Sequence, residues 1–196
     1  MKAERKDADR NFTKRVMADF TGALFELLQE KSLESISATE LCKRCSYPRS
    51  TFYNYFEDIY AVMEDCWKGL SSEMELDHFQ EIPHEERTVT LFTMLYTYME
   101  QHEQMFHRLL KHNPADGAMR RSLNAYMRKT IEQMIRECPE SDNYPVPLEV
   151  VAEHYSNTIW MLVEHCFLMQ DHMDRESALR CLTYLLGTLE KENGHR

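Results

Sequence analysis

Residues 36–56 read ISATELCKRCSYPRSTFYNYF, and this stretch decides the fold. Ser37-Ala38-Thr39-Glu40 has the form of a capping box, in which the Ser37 hydroxyl accepts from the Glu40 backbone N–H and the Glu40 side chain reaches back. The pattern predicts a short helix over residues 38–44 that buries Leu41 and sets Cys42 and Cys45 on an adjacent small-residue face. Ser46-Tyr47-Pro48 breaks that helix, and Pro48 suits the first turn of the next one, where a missing N–H costs little. Phe52 and Phe56, at i and i+4, form an inward apolar stripe, which leaves Arg49, Ser50, Tyr53 and Asn54 on the outer face. This is the plan of a helix-turn-helix, whose second helix enters the DNA major groove. Arg reads guanine bidentately, Asn reads adenine, and hydroxyl side chains suit phosphates. A plain helical hairpin shares this spacing, because outward polar residues are the default on any surface helix.

The segment and its flanks resemble the DNA-binding domain of TetR-family transcriptional regulators. The family pattern appears here as Ile36, Ser37, Glu40-Leu41-Cys42, Cys45-Ser46-Tyr47, Thr51-Phe52-Tyr53 and Phe56. It is preceded by a helix carrying Phe20, Ala23, Leu24, Leu27 and Leu28. The match covers about residues 10–66, and the remainder resembles the family in length and helical layout. Four positions depart from the pattern: Ser46 stands where Gly is common, Tyr47 where Val is common, Pro48 where a capping polar residue is common, and Ile59 where a phosphate-gripping Lys is usual. The missing Lys should lower the salt slope of DNA binding by about one counterion. The resemblance implies that Arg49, Ser50 and Asn54 face base edges. It implies that Ser37, Thr39, Thr51, Tyr53 and Tyr55 lie along the phosphates.

Charge is distributed to match. Residues 1–56 carry a net +2 and residues 57–196 a net −12, within an overall −10. An acidic protein that binds DNA must gather its positive charge, because the phosphate term dominates affinity. Lys14 and Arg15, at the start of the first helical pattern, are expected backbone contacts, whereas residues 1–8 read as a solvated, partly disordered tail.

The chain reads as all-α, with only five Gly and no alternating strand run of note. Helical periods, about nine in number, fall at 9–31, 37–45, 48–55, 58–78, 84–101, 103–112, 115–137, 147–171 and 174–191. Pro83, Pro114, Pro139, Pro145 and Pro147 punctuate them, and Cys138 to Pro147 is the clearest loop. The expected division is a three-helix DNA-binding domain over residues 1–57 and a helical effector-binding and dimerisation domain over 58–196. No apolar run of about 18 residues exists, and no apolar stretch follows the charged N-terminus, so no membrane role is expected. Six Cys without a pairing pattern fit a reducing cytoplasm.

The middle helices supply large, adaptable apolar surface, and the resemblance places an effector pocket among them. Met94, Tyr98, Phe106, Leu109, Leu123, Tyr126, Met127, Trp160 and Phe167 are its expected lining. An ordinary core would use the same residues. The acidic body leans towards a cationic or neutral, mostly apolar effector. The last two helices carry wide apolar arcs, and an intersubunit four-helix bundle would use Tyr155, Ile159, Leu162, Cys166, Leu182, Leu185 and Leu186. Those arcs could equally complete an intramolecular core. A dimer suits DNA binding, because two reading heads call for a near-palindromic operator.

Cys42-x-x-Cys45 has zinc or redox spacing, but no second such pair accompanies it, and the family places small buried residues there. His102, His107 and His112 are five apart and so spread around a helix. No Gly-rich phosphate loop, G-x-S-x-G or H-E-x-x-H occurs. The expectation is a non-enzymatic, homodimeric, ligand-responsive repressor without a cofactor or metal. The alternative is a TetR-like co-activator or adaptor that works by protein contacts and does not read DNA.

Overall fold

The computed structural model describes residues 2–137, 144–169 and 171–193. Among these residues it holds nine α-helices and no strand. The expected loop from Cys138 to Pro147 lies largely outside the described residues, and so does Cys138 itself. The chain forms two compact units, one of residues up to Gly69 with Arg108–Ser122, the other of Leu70–His107 with residues from Leu123 onward.

In the first unit, α1 (Lys2–Leu28) presents Val16, Phe20, Ala23, Leu24, Leu27 and Leu28 along one buried face. Residues 2–8, expected as a solvated tail, lie within α1. A 3₁₀ turn, Leu33–Ser35, leads to α2 (Ala38–Cys45). Ser37 caps α2 as expected, its Oγ accepting from the Glu40 N–H at 3.2 Å. Glu40 does not complete the box, because its carboxylate is taken by Lys31 Nζ. The turn after α2 is a Schellman motif: Tyr47 N–H donates to Cys42 O at 3.0 Å and Ser46 N–H to Lys43 O at 3.3 Å. That geometry forces Ser46 to φ 59°, the left-handed region that the usual Gly would occupy without strain.

Pro48 then precedes α3 (Arg49–Tyr55). Phe52 and Phe56 pack with Phe20, ring centroids 5.5 and 5.8 Å away and nearly perpendicular. Such edge-to-face pairs contribute roughly 0.5–1.5 kcal/mol each beyond the area they bury. The helix α4 (Ile59–Glu73) opens under an Asp58 cap, Oδ1 accepting from Ala61 N–H at 2.9 Å. Its first turns bury Ile59, Val62, Met63, Cys66 and Trp67.

The Arg108–Ser122 stretch joins this unit by specific bonds. Asn113, 1% exposed, bonds to Leu28 O, Leu109 O and Leu33 N–H, all at 2.9 Å. Glu34 Oε1 accepts from Ala118 N–H, and Trp67 Nε1 donates to Ser122 Oγ at 3.0 Å. Gly117 sits in the tight turn between, where a Cβ would fall 3.0 Å from Pro114 O.

The second unit takes the end of α4, a 3₁₀ segment Leu76–Glu81, α5 (His84–Gln101), the start of α6 (Glu103–His112) and most of α7 (Ala118–Arg136). It is completed by α8 (Leu148–Phe167) and α9 (Arg175–Asn193). The expected single helix over 58–78 ends instead at Glu73, because Glu75 turns to φ 58° and the chain tightens into the 3₁₀ segment that buries Phe79. Phe92, Tyr96 and Met99 of α5 pack against Val151, Leu162, Val163 and Phe167 of α8 and Ala178, Leu182 and Leu186 of α9. Asp174 caps α9, accepting from Ser177 N–H at 2.8 Å.

Candidate functional site

The outer face of α3 is polar and open. Arg49, Ser50, Tyr53 and Asn54 are exposed, while Thr51 and Tyr55 are half-buried at its flanks. Arg49 Nη2 donates to Tyr53 Oη at 3.2 Å, and its guanidinium lies 5.7 Å from the Tyr53 ring centroid. This bond holds the guanidinium pKa above its ordinary value. Among the described residues no carboxylate holds Arg49, so its fork remains available to an outside acceptor. The helix is short, and it owes its position to the buried Phe52 beneath and to α2 beside it.

Around that face, Ser37 and Thr39 at the start of α2 are exposed, and so are Lys14 and Arg15 of α1. The Ser37 oxygen is engaged in capping but keeps its own O–H to donate. The two other cations of α2 divide. Arg44 is tied to Glu30 at 2.8 Å and Glu26 at 3.4 Å, whereas Lys43 is exposed and has no acidic partner among the described residues. Residue-pattern reading left Lys43 out. The residue lies one helical turn from Thr39, and that spacing was the signal that could have found it. Tyr47 donates to Asp19 Oδ2 at 2.8 Å, which pushes its phenol pKa up and fixes the turn to α1. Ile59 is 8% exposed and therefore a core residue.

The Cys42-x-x-Cys45 pair belongs to the packing. Cys42 is buried, Cys45 Sγ donates to Asp19 O at 3.4 Å, and burial pushes the Cys45 thiol up to about 11. Among the described residues, no group of three or more His, Cys, Asp or Glu is placed to hold a metal. His102 stacks on Tyr98 with ring centroids 4.1 Å apart, and His107 pairs with Phe167 O at 3.3 Å, so the two serve different neighbours.

The second unit contains a cavity of about 190 Å³. Tyr126 and Met127, both expected there, line it. Met94, Tyr98, Phe106, Trp160 and Phe167 lie off its wall. Leu123 is also off the wall, and Leu109 falls in the first unit. Tyr98 instead donates to Glu73 Oε2 at 3.0 Å, and burial raises its phenol pKa. Much of the wall is built by two stripes, Arg87, Thr88, Leu91 and Leu95 of α5, and Thr130, Ile131, Met134 and Ile135 of α7. The α7 stripe continues Met127 at three- and four-residue steps, so its periodicity was present in the sequence. Tyr155 and Ile159, expected at a dimer contact, also line the cavity.

The remaining residues expected between subunits are occupied within the chain. Leu162, Leu182 and Leu186 are at most 1% exposed, and Cys166 is buried with them. Cys181 and Leu185 are half-buried. The apolar side chains that α8 and α9 leave outward are others: Val150, Met161 and Tyr184, the last 78% exposed. No helix of the described residues is long and apolar enough to cross a membrane.

No family model and no curated protein matches the sequence. Among solved structures, the chain is similar to a protein of Syntrophomonas wolfei str. Goettingen provisionally designated a TetR-family transcriptional regulator. The similarity has a TM-score of 0.63 at 14% identity, and it covers 91% of this chain and 96% of that one. The chain therefore has the all-α fold of that protein, as the resemblance over about residues 10–66 implied.

Proposed function

We propose that the chain is a ligand-responsive transcriptional regulator that binds a near-palindromic DNA operator as a homodimer, acting as a repressor. The observation that carries this reading is the outer face of α3. It presents Arg49, Ser50, Tyr53 and Asn54 to solvent over a buried phenylalanine anchor, and no acid among the described residues holds Arg49. Arg49, Ser50 and Asn54 would meet base edges. Thr39, Thr51, Tyr53 and Tyr55, with Ser37, Lys14 and Arg15, would meet the backbone. Residues 1–57 act as the reading head and 58–196 as the sensor and dimer body. A mostly apolar effector enters the cavity, whose wall includes Ser71 near the end of α4. The start of the same helix is buried in the head by Ile59, Val62 and Met63. A shift of α4 on effector binding would change the spacing of two heads and disfavour a fixed operator. It does so only to the extent that the effector prefers one state over the other. Two protomers would meet through Val150, Met161 and Tyr184 of α8 and α9.

Fluorescence anisotropy with duplexes from upstream of the chain's own gene, at two salt concentrations, tests the reading. Sequence-selective binding that weakens steeply with salt is expected. One observation favours a second reading, a protein-contact adaptor: the core position of Ile59 removes a phosphate-gripping cation from the head. Absence of any salt-dependent binding, with genomic selection also returning no site, would establish the adaptor.

A further inference from the structure

We infer that the effector is an amphipathic monocarboxylate, about the size of one aromatic ring with a short side chain, whose carboxylate is received by Arg87. The inference rests on reading the cavity as the effector site. Arg87 lies in the first turns of α5 and forms part of the cavity wall, half-buried. Its guanidinium lies over the Phe79 ring, 5.3 Å from the centroid, and Nη2 donates to Ile82 O at 3.1 Å. Neither partner carries a negative charge. The Nε–H is shielded from solvent and meets no acceptor among the described residues. A guanidinium stays ionised at any accessible pH. Among the described residues Arg87 is therefore a partly desolvated cation without a counter-ion, oriented by an aromatic face and one carbonyl. A carboxylate is the planar acceptor that matches a guanidinium edge with two parallel bonds.

The rest of the wall sets the remaining chemistry. Leu91, Leu95, Met127, Ile131 and Met134 make it apolar, and among the described lining residues none is acidic. One cation calls for one anionic group, since a second carboxylate would be buried among Leu, Met and Ile. The chain's net charge of −10 does not oppose this, because charges beyond about 8 Å are screened at physiological ionic strength and Arg87 sits at the binding surface itself. The local cation thus outweighs the acidic composition, which by itself points to a cationic or neutral ligand. Size narrows the class further. An apolar cavity of about 150 Å³ holds benzene, so the 190 Å³ here takes a ring and a small head group but not a nucleotide thioester.

Titration calorimetry of the full chain at neutral pH tests the inference with two carbon-matched pairs, phenylacetate against 2-phenylethanol and octanoate against 1-octanol. At least one acid is expected to bind tenfold or more tightly than its alcohol. Arg87→Gln should remove that advantage while alcohol affinity stays within twofold, and Leu91→Trp, which fills the cavity, should abolish both. If R87Q does not fold, Arg87→Lys keeps the charge without the fork and should weaken the acid several-fold with the alcohol unchanged. Equal binding of acid and alcohol, or an acid preference that survives R87Q or R87K, overturns the assignment to Arg87 and leaves the cavity reading standing. Failure of all four compounds to bind overturns both.

Discussion

Replacing Asn113 by alanine should destabilise the chain by about 2–6 kcal/mol, the sum for two buried backbone groups left without partners. The side-chain amide makes three bonds of 2.9 Å, donating from Nδ2 to Leu28 O and Leu109 O and accepting at Oδ1 from Leu33 N–H. Leu109 O also accepts from the Asn113 backbone N–H at 3.0 Å and so keeps a partner in the variant. Leu28 O, the last carbonyl of α1, and Leu33 N–H, the first donor of the 3₁₀ turn, do not. Each orphaned buried group costs about 1–3 kcal/mol, and Asn113 is 1% exposed, so water cannot replace the amide without opening the structure. The loss is large against a typical total of about 5–15 kcal/mol. Urea denaturation followed by circular dichroism should show the midpoint falling with an unchanged slope. Hydrogen exchange should show the Leu33 amide losing protection ahead of its neighbours. Asn113→Asp should be no better, because a carboxylate would face two carbonyls that only accept. A loss under about 1 kcal/mol together with a Leu33 amide that stays protected would refute the reasoning, since both orphaned groups must then have found other partners.

Three further outcomes are expected. Arg49→Ala should weaken operator binding by about 1–3 kcal/mol and relax preference at one base position, measured by anisotropy against single-base operator variants; an unchanged preference removes Arg49 from base reading. Ser46→Gly should stabilise the chain by about 0.5–1 kcal/mol, the left-handed strain of an L residue less the extra chain entropy of Gly, whereas Ser46→Ala keeps the Cβ and should gain nothing; equal gains for both count against strain at φ 59°. Tyr184→Glu should shift sedimentation towards the monomer with little change in the protomer's own thermal stability, because the side chain is 78% exposed within one chain; an unaltered dimer places the interface elsewhere.

Local chemistry was legible and distant chemistry was not. The Ser37 cap, the break at Ser46-Tyr47-Pro48 and the Phe52/Phe56 stripe each depend on residues within a turn or two, and the structure contains all three. Glu40 was misread because its partner, Lys31, lies nine residues back, beyond the reach of a capping rule. The role of Asn113 was hidden for the same reason, as its partners Leu28 and Leu33 stand 85 and 80 residues away. A Pro114 neighbour marks a break but does not say what the break is for.

The second unit shows a different limit. Periodicity finds which side of a helix is apolar, and for α8 it did so, but burial in a core, a cavity or a subunit contact all demand the same stripe. Leu162, Leu182 and Leu186 met that demand by packing α5, α8 and α9 together within one chain. Tyr155 and Ile159, on the same helix, border empty volume. What separates the cases is whether the facing helix supplies enough side chain to fill the gap, and that is a property of three helices together. Polar residues inside such a stripe discriminate better than apolar ones. Arg87 lies on the face that also carries Leu91 and Leu95, and a cation on an apolar face must be compensated by something. Since the described residues supply an aromatic ring and a carbonyl but no carboxylate, the compensation is proposed to come from a bound ligand.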